Sequence, residues 1–471
     1  MDYQITAMPA IEENRVEPAA NPDALRQFFQ EGKTLSFEFR RTQLVKLKQV
    51  ILQHEEDIYT ALYSDLKKSR EETYASELGL LLAEINGALK NLRRWMQPQA
   101  AGTDLVNLPS KSRIYRDPLG VVLIISPWNY PLQLLLIPLV GAIAGGNCAL
   151  LKPSELAPAT SALIEKMMTE TFPENYILVK NGDGAKLIPS LMGSFRFDHV
   201  FYTGSIPVGK IIYQLAAKDL VPVTLELGGK SPAIVEEDAN LRVAARRIVL
   251  GKFLNAGQTC IAPDYLLVQE SVKEKLIGLL QSEIENFYTT DASNSYDYSK
   301  IINEKRFDKL VGCLGDGRIV TGGQHDRSKL FIAPTVMEDV PAGSSLWSEE
   351  IFGPILPVRT YKTTAEAIGY VKGSNPLALY LFTAHKQKEK AWVEGVAFGG
   401  GCINNTDWHF TNHHLPFGGV GNSGIGAYHG KFTFDSFTRL KSVMKTPTWF
   451  DPSVKYPPFK GKLKLFKWVI R

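Results

Sequence analysis

Cys260 closes the segment Phe253-Leu254-Asn255-Ala256-Gly257-Gln258-Thr259-Cys260, which puts a thiol in a small-residue loop directly after a helical stretch. A thiol is already a strong nucleophile when only slightly ionised, so modest help from dipoles or a base suffices. The other cysteines differ in context. Cys148 sits inside an apolar strand and reads as a buried, inert thiol, and Cys313 and Cys402 lack a suggestive setting. Glu226 lies in Thr224-Leu225-Glu226-Leu227-Gly228-Gly229-Lys230, one carboxylate inside an apolar strand that ends in two glycines. Burying such a group is costly unless it is paired or functional, and burial raises its pKa toward that of a general base. Two readings stand: a general base, or a structural ion pair with Lys230.

Two more segments bear on ligand binding. Tyr202-Thr203-Gly204-Ser205-Ile206-Pro207-Val208-Gly209-Lys210 leaves a strand and opens a helix. Ser205 suits the cap, Pro207 the first turn, and the free N–H groups could face a phosphate. The run is not a GxGxxG fingerprint, and a plain strand-to-helix turn fits it equally. Lys152-Pro153-Ser154-Glu155 ends another strand, where a lysine and a carboxylate could grip a ribose or simply form a solvated pair. His409, His413 and His414 lie close together without metal-ligand spacing or a companion carboxylate cluster, so they read as pocket-wall or surface residues, and no metal is expected.

The elements that must hold these residues follow from periodicity. From about Asn21 to Met96 the pattern is helical, and Leu105–Arg116 alternates like an extended ribbon. Strands Val121–Ser126, Cys148–Lys152, Tyr176–Lys180, His199–Tyr202 and Val223–Leu227 are predicted, separated by helices near Leu132–Ala144, Ala159–Thr171, Lys186–Met192 and Pro207–Lys218. A second series holds strands Ala233–Val235, Tyr265–Val268 and Arg318–Thr321, with helices Leu241–Leu254, Val272–Phe287 and Thr364–Lys372. Alternation of this kind means parallel strands with right-handed crossovers: two doubly wound α/β units joined near Gly228-Gly229.

The bulk properties exclude several classes. Lys and Arg number 53 against 49 Asp and Glu, a net +4 in 471 residues, too little for a phosphate-driven nucleic-acid binder. Four scattered cysteines make no disulfide framework. Pro118–Leu151 carries no charge, but prolines and glycines interrupt it before about 20 apolar residues accumulate, so it reads as buried core rather than a span. Met1-Asp2-Tyr3-Gln4 does not open like a signal peptide, and a cytoplasmic protein is expected. Lys455–Arg471 mixes five lysines and one arginine with aromatics and leucines. As a helix it would align Lys460, Lys464, Lys467 and Arg471 in one basic stripe, which suits either a membrane surface or packing on the chain's own domain or a partner subunit.

Six segments in order resemble the aldehyde dehydrogenase superfamily over about Ala24 to Val454: Pro127-Trp128-Asn129-Tyr130-Pro131, Lys152-Pro153-Ser154-Glu155, the Gly204–Gly209 turn, Leu225–Lys230, Gly257–Cys260 and Glu350-Ile351-Phe352-Gly353-Pro354. Leu415–Gly424 and Ala427-Tyr428-His429-Gly430 are similar to the family 3 branch, which includes the fatty aldehyde dehydrogenases. The resemblance implies an α/β fold of two Rossmann-like lobes with a small β oligomerisation element. The cofactor lobe would be 1–104 with 117–227, the catalytic lobe 228–404, the oligomerisation strands 105–116 and 425–450, and the tail 455–471. Cys260 would be the nucleophile, Glu226 the base that activates water, and Asn129 an oxyanion donor together with the Cys260 N–H. Trp128 would line the site. Lys152 and Glu155 would hold the adenosine ribose, Gly204, Ser205, Ile206, Pro207, Val208 and Gly209 the pyrophosphate, and Glu350 and Phe352 the nicotinamide side. NAD is the expected cofactor because Glu155 repels a 2′-phosphate, although a carboxylate that swings aside would admit NADP. The expected reaction is oxidation of medium or long apolar aldehydes, fatty or apocarotenoid, by a homodimer that contacts membrane surfaces through its tail. The alternatives are a CoA-acylating aldehyde dehydrogenase, or a non-catalytic membrane-associated binding protein on the same fold.

Overall fold

A computed structural model describes residues 22–470. Met1-Asp2-Tyr3-Gln4, Asn21 and Arg471 therefore lie outside the described residues. The helical N-terminal stretch is a succession of helices, chiefly Pro22–Gln30, Phe37–Gln53, Glu55–Leu66 and Gly79–Trp95.

Two sheets carry the architecture. The first has six strands in the order Gly424–Ile425, Val223–Leu227, His199–Gly204, Val121–Ile125, Cys148–Lys152 and Ile177–Val179, parallel except for Gly424–Ile425. The earliest of the parallel strands lies in the middle, so the crossovers run one way to Cys148–Lys152 and the other way to His199–Gly204. That reversal opens a crevice beyond the carboxyl ends of the strands. Val121–Ile125 is wholly apolar and buried, as a strand covered on both faces must be. The uncharged helix Gln133–Gly145 is also buried along its whole length, and Gly146 ends it at φ 87°. Among the described residues no helix is long and apolar enough to cross a membrane.

The second sheet orders Arg318–Thr321, Thr335–Glu338, Ile355–Tyr361, Tyr265–Gln269, Pro232–Val235, Ala378–Phe382 and Gly400–Ile403, with only the first pairing antiparallel. Four of these strands, Thr335–Glu338, Ile355–Tyr361, Ala378–Phe382 and Gly400–Ile403, were not foreseen from periodicity.

The ribbon differs from expectation in three ways. Leu105–Asn107 is a short 3₁₀ turn, and the strand begins only at Lys111 and runs to Pro118. A third strand, Gln99–Ala101, joins it from the preceding stretch. On the other side, Lys431–Ser436 is helical, and only Thr438–Lys445 pairs with Lys111–Pro118. The resemblance places this segment within the oligomerisation strands 425–450. The segment turns helical because it starts at Gly430 (φ 57°), pairs Lys431 with Asp435 one turn on, and buries Thr433 and Phe434 on one side. Ile425, expected among the bridging strands, belongs with Gly424 to a strand that extends the first sheet instead.

The tail helix is short, Leu463–Val469, so Lys460 precedes it and only Lys464 and Lys467 of the expected stripe lie on it. Leu463, Trp468 and Ile470 are all exposed. A cleft of about 730 Å³ separates this end from Leu105, Leu108, Trp449 and Phe450.

Candidate active site

The thiol loop is wound against its normal backbone preference. After helix Leu241–Phe253, Asn255 and Ala256 both take φ 51° and Gly257 takes φ 73°. Left-handed non-glycine residues persist only where the surroundings impose them. Here the Asn255 N–H donates to Glu72 at 3.0 Å, and Gln258 binds the Asn255 and Lys300 carbonyls at 3.0 and 2.9 Å while accepting the Ile302 N–H at 3.0 Å. A Cβ on Gly257 would lie 2.4 Å from the Gly353 carbonyl oxygen, so glycine is required for the loop to touch the Glu350–Pro354 turn. Cys260 emerges half-buried. Burial first, then Glu350 and Glu226, push its thiol well above the ordinary range, so it rests protonated.

Glu226 pairs through its backbone with Thr203 and Gly424. Its side chain is 2% exposed, and neither carboxylate oxygen has a hydrogen-bond partner among the described residues. Burial alone raises its pKa far above the usual range. Glu226 and Cys260 line one enclosed space of about 60 Å³, walled by Leu227, Ile261, Phe417 and Tyr428. The ion pair with Lys230 does not form. The chain turns at Gly228-Gly229, and Lys230 crosses to Asp264 and to the carbonyls of Leu346 and Glu349 at 2.8 and 2.9 Å.

The sheet crevice gathers the other residues. Lys152 ends its strand and pairs with Glu155, which also accepts the Gly184 N–H at 3.0 Å. Partial burial raises the Glu155 carboxyl, but these hydrogen bonds outweigh it and hold the group below its ordinary range. Gly204 ends the neighbouring strand, and helix Ile206–Lys218 follows with Ser205, Pro207 and Val208 exposed and Ile206 half-buried. Ser205 is the N-cap residue, yet its side chain makes no capping bond, leaving the first-turn N–H groups unclaimed by it. Gly209 packs on Leu227, where a Cβ would approach to 2.6 Å, which draws the helix onto the sheet.

The Glu350–Pro354 turn faces this crevice from the second sheet. A Cβ on Gly228 would lie 2.0 Å from Glu350 Oε2, so the carboxylate rests directly on the turn after Glu226. Burial, then Asp264, raises Glu350 to about 8, and its Oε1 has no partner among the described residues. Phe352 meets Trp128 edge-on with centroids 5.4 Å apart. Trp128 thus packs on this turn and does not wall the enclosed space at the thiol. Asn129 is buried behind the thiol loop, and its amide donates to the Gln258 carbonyl at 3.0 Å.

Several residues of consequence escaped the sequence reading. Lys68 and Glu77, both fully buried, pair at 2.6 Å; Lys68 also donates to the Asn129 carbonyl at 2.9 Å and Glu77 accepts the Leu132 N–H at 2.9 Å. Burial lifts Glu72 to about 7. Asp407, at φ 56°, reaches the cavity wall, accepts the Tyr380 hydroxyl at 3.0 Å and is raised by burial to about 8. A clue existed for the first three: charged residues recurring within a helical stretch whose neighbours are core.

The histidines meet expectation only in part. His409 stacks on Phe417 and approaches Cys402 at 3.7 Å, and His414 is exposed. His413 does have a carboxylate companion: Glu84, far away in sequence, stands 3.0 Å from its Nδ1. Cys148 is buried in the first sheet, as expected.

A buried carboxylate and a thiol share one cavity next to a doubly wound sheet of the kind that binds dinucleotides at its crevice, an α/β enzyme architecture. The aldehyde dehydrogenase family model matches residues 2–443, and the chain belongs to that family of NAD(P)-dependent enzymes. It is 47% identical over 445 residues to 4,4'-diaponeurosporen-aldehyde dehydrogenase of Staphylococcus aureus (strain NCTC 8325 / PS 47), covering 94% of this chain and 96% of that protein. It is 44% identical to aldehyde dehydrogenase family 3 member H1 of Arabidopsis thaliana, covering 95% and 93%. The structure described as the substrate-bound state of Staphylococcus aureus AldH superposes with a TM-score of 0.93 at 46% identity, covering 95% of this chain and 98% of that one.

Proposed function

We propose that the chain oxidises medium-to-long apolar aldehydes, including polyene aldehydes, to acids through a cysteine-bound intermediate. The observation that carries the reading is one cavity shared by Cys260 and by Glu226, whose carboxylate has no partner among the described residues. The Cys260 thiol gives its proton to solvent water, and the thiolate adds to the aldehyde carbon to give a thiohemiacetal oxyanion that meets the Cys260 N–H and the second N–H of the Asn129 amide, the first being held by Gln258.

The residues present fit a dinucleotide: an unclaimed helix N-terminus at Ser205–Gly209, the Lys152–Glu155 pair, and Glu350 with one free buried oxygen. When bound, the dinucleotide supplies a hydride acceptor. Lys152 and Glu155 hold the adenosine ribose, the Gly204–Gly209 turn the pyrophosphate, and Glu350 with Phe352 the nicotinamide end, with Trp128 packed on Phe352. Loss of hydride leaves a thioester on Cys260, and Glu226 takes a proton from the water that releases the acid. A free carboxylate in this place favours water over a thiol as acyl acceptor, against the CoA-acylating alternative.

The apolar walls suit an apolar substrate, and about 60 Å³ admits only its head, so a long chain must extend beyond the enclosed space. The name of the Staphylococcus aureus relative, a diaponeurosporen-aldehyde dehydrogenase, supports polyene aldehydes. The exposed Leu463, Trp468 and Ile470 beside Lys464 and Lys467 support reversible contact with an anionic membrane, where such substrates partition. Strand Thr438–Lys445 lies at a sheet edge with Leu440, Val443 and Met444 exposed, which supports a homodimer built on this ribbon. The test is reduced-nicotinamide absorbance with NAD or NADP and an aldehyde chain-length series. Cys260→Ala should silence it; a Cys260→Ala enzyme that still turns over would reject the assignment.

A further inference from the structure

Glu84, His413 and His429 come from three distant places: helix Gly79–Trp95, the loop after Trp408–Thr411, and the approach to helix Lys431–Ser436. One possible ligand atom from each lies within 4.8 Å of the other two. Glu84 is 3% exposed, and its Oε1 is held by the Thr433 hydroxyl at 3.0 Å and the Gly430 N–H at 2.8 Å. Its Oε2 stands 3.0 Å from His413 Nδ1. His429 is 4% exposed, its Nδ1 has no hydrogen-bond partner among the described residues, and its backbone is left-handed at φ 82°. The close approach of the two histidine segments depends on Gly430, where a Cβ would fall 2.4 Å from the His413 carbonyl oxygen.

A buried imidazole with an unmade bond, in an imposed backbone conformation and next to an oriented carboxylate and a second imidazole, is an incomplete coordination set. Two imidazoles and one carboxylate with an open position suit zinc-class ions rather than magnesium or calcium, and the Thr433 and Gly430 bonds to Glu84 are the outer support such ligands need. We propose that Glu84, His413 and His429 form a site for a divalent transition-metal ion, at the wall of the cavity that holds Cys260 and Glu226. His429 lines that cavity, so an ion here fixes its ring and narrows the space around the thiol. The effect on turnover rests on the proposed role of Cys260; the binding of metal does not.

The test uses the full chain carrying Cys260→Ala, which removes the thiol in the shared cavity, stripped with chelator and titrated with Co²⁺ and Zn²⁺. One equivalent should bind, with the visible bands of a tetrahedral nitrogen–oxygen cobalt site and without thiolate charge transfer. Adding His413→Ala, a partly exposed position, should weaken binding at least about tenfold and abolish the bands. Zn²⁺ should raise the melting temperature of the first protein and not of the second. Absence of stoichiometric binding, or equal affinity with and without His413, would overturn the proposal. So would loss of binding on Cys402→Ser, because the ion would then belong to Cys402 and His409.

Discussion

The Lys68 ammonium, sealed from solvent, donates to the Asn129 carbonyl at 2.9 Å while Glu77 grips it at 2.6 Å. Glu77 in turn binds the Leu132 N–H, so both ends of the Asn129–Leu132 loop hang on one buried ion pair. Removing one member leaves an uncompensated buried charge, which typically costs about 3–5 kcal/mol. Lys68→Met should lower stability by that order in chemical denaturation, and Lys68→Met with Glu77→Gln should recover part of it. A single variant as stable as the parent would show that the pair does not hold the loop.

Glu226 yields a prediction of opposite sign for stability. Its folded pKa is raised, so between the unfolded and folded values the native state holds more protons, and stability falls as pH rises through that window. Ionised at alkaline pH, the group is a buried unpaired charge. Glu226→Gln should therefore raise the melting temperature, by more at higher pH. The parent's turnover should climb with pH as the base ionises, on a limb above the ordinary carboxylate range, and the variant should show a burst of reduced cofactor and then stall. Melting curves at several pH values, with stopped-flow absorbance, check both halves.

Asn129→Ala should leave the thiol in place but remove an oxyanion donor, lowering kcat by about 10²–10³. Because the same amide binds the Gln258 carbonyl, circular dichroism and cofactor affinity should be measured in parallel. A purely structural role would move those and leave kcat nearly intact.

Glu155 is held below its ordinary range against Lys152, where, on the proposed reading, it opposes a 2′-phosphate. Glu155→Gln should shift the ratio of kcat/KM for NADP over NAD upward by about tenfold, the equivalent of about 1.4 kcal/mol. An unchanged ratio would place the adenosine ribose elsewhere.

Deleting residues 460–471 removes the exposed Leu463, Trp468 and Ile470 with their lysines. Sedimentation with anionic liposomes should drop to background while activity on a soluble short aldehyde persists. Equal sedimentation with and without the tail would assign it to the neighbouring cleft instead.

Much of this site was readable from order and type alone. Strand and helix periods are local, so Val121–Ile125, Cys148–Lys152 and Val223–Leu227, and with them the carboxyl ends that carry Asn129, Lys152 and Glu226, follow from neighbouring residues. Short motifs such as Gly257–Cys260 likewise single out a candidate nucleophile by residue type, while the loop's left-handed conformation is held by Glu72, Lys300 and Gly353 from elsewhere in the chain. Partner choice is another matter. That Lys230 would abandon Glu226 for Asp264, that Lys68 and Glu77 would brace Asn129, or that Glu84 would meet His413 depends on which segments the two sheets bring together. Burial, which raises Glu226, Glu350 and Asp407, is likewise a property of the packed whole, because desolvation sums over atoms that the linear chain keeps apart. The identities of the reactive groups belong to the sequence; their protonation, orientation and company belong to the tertiary structure.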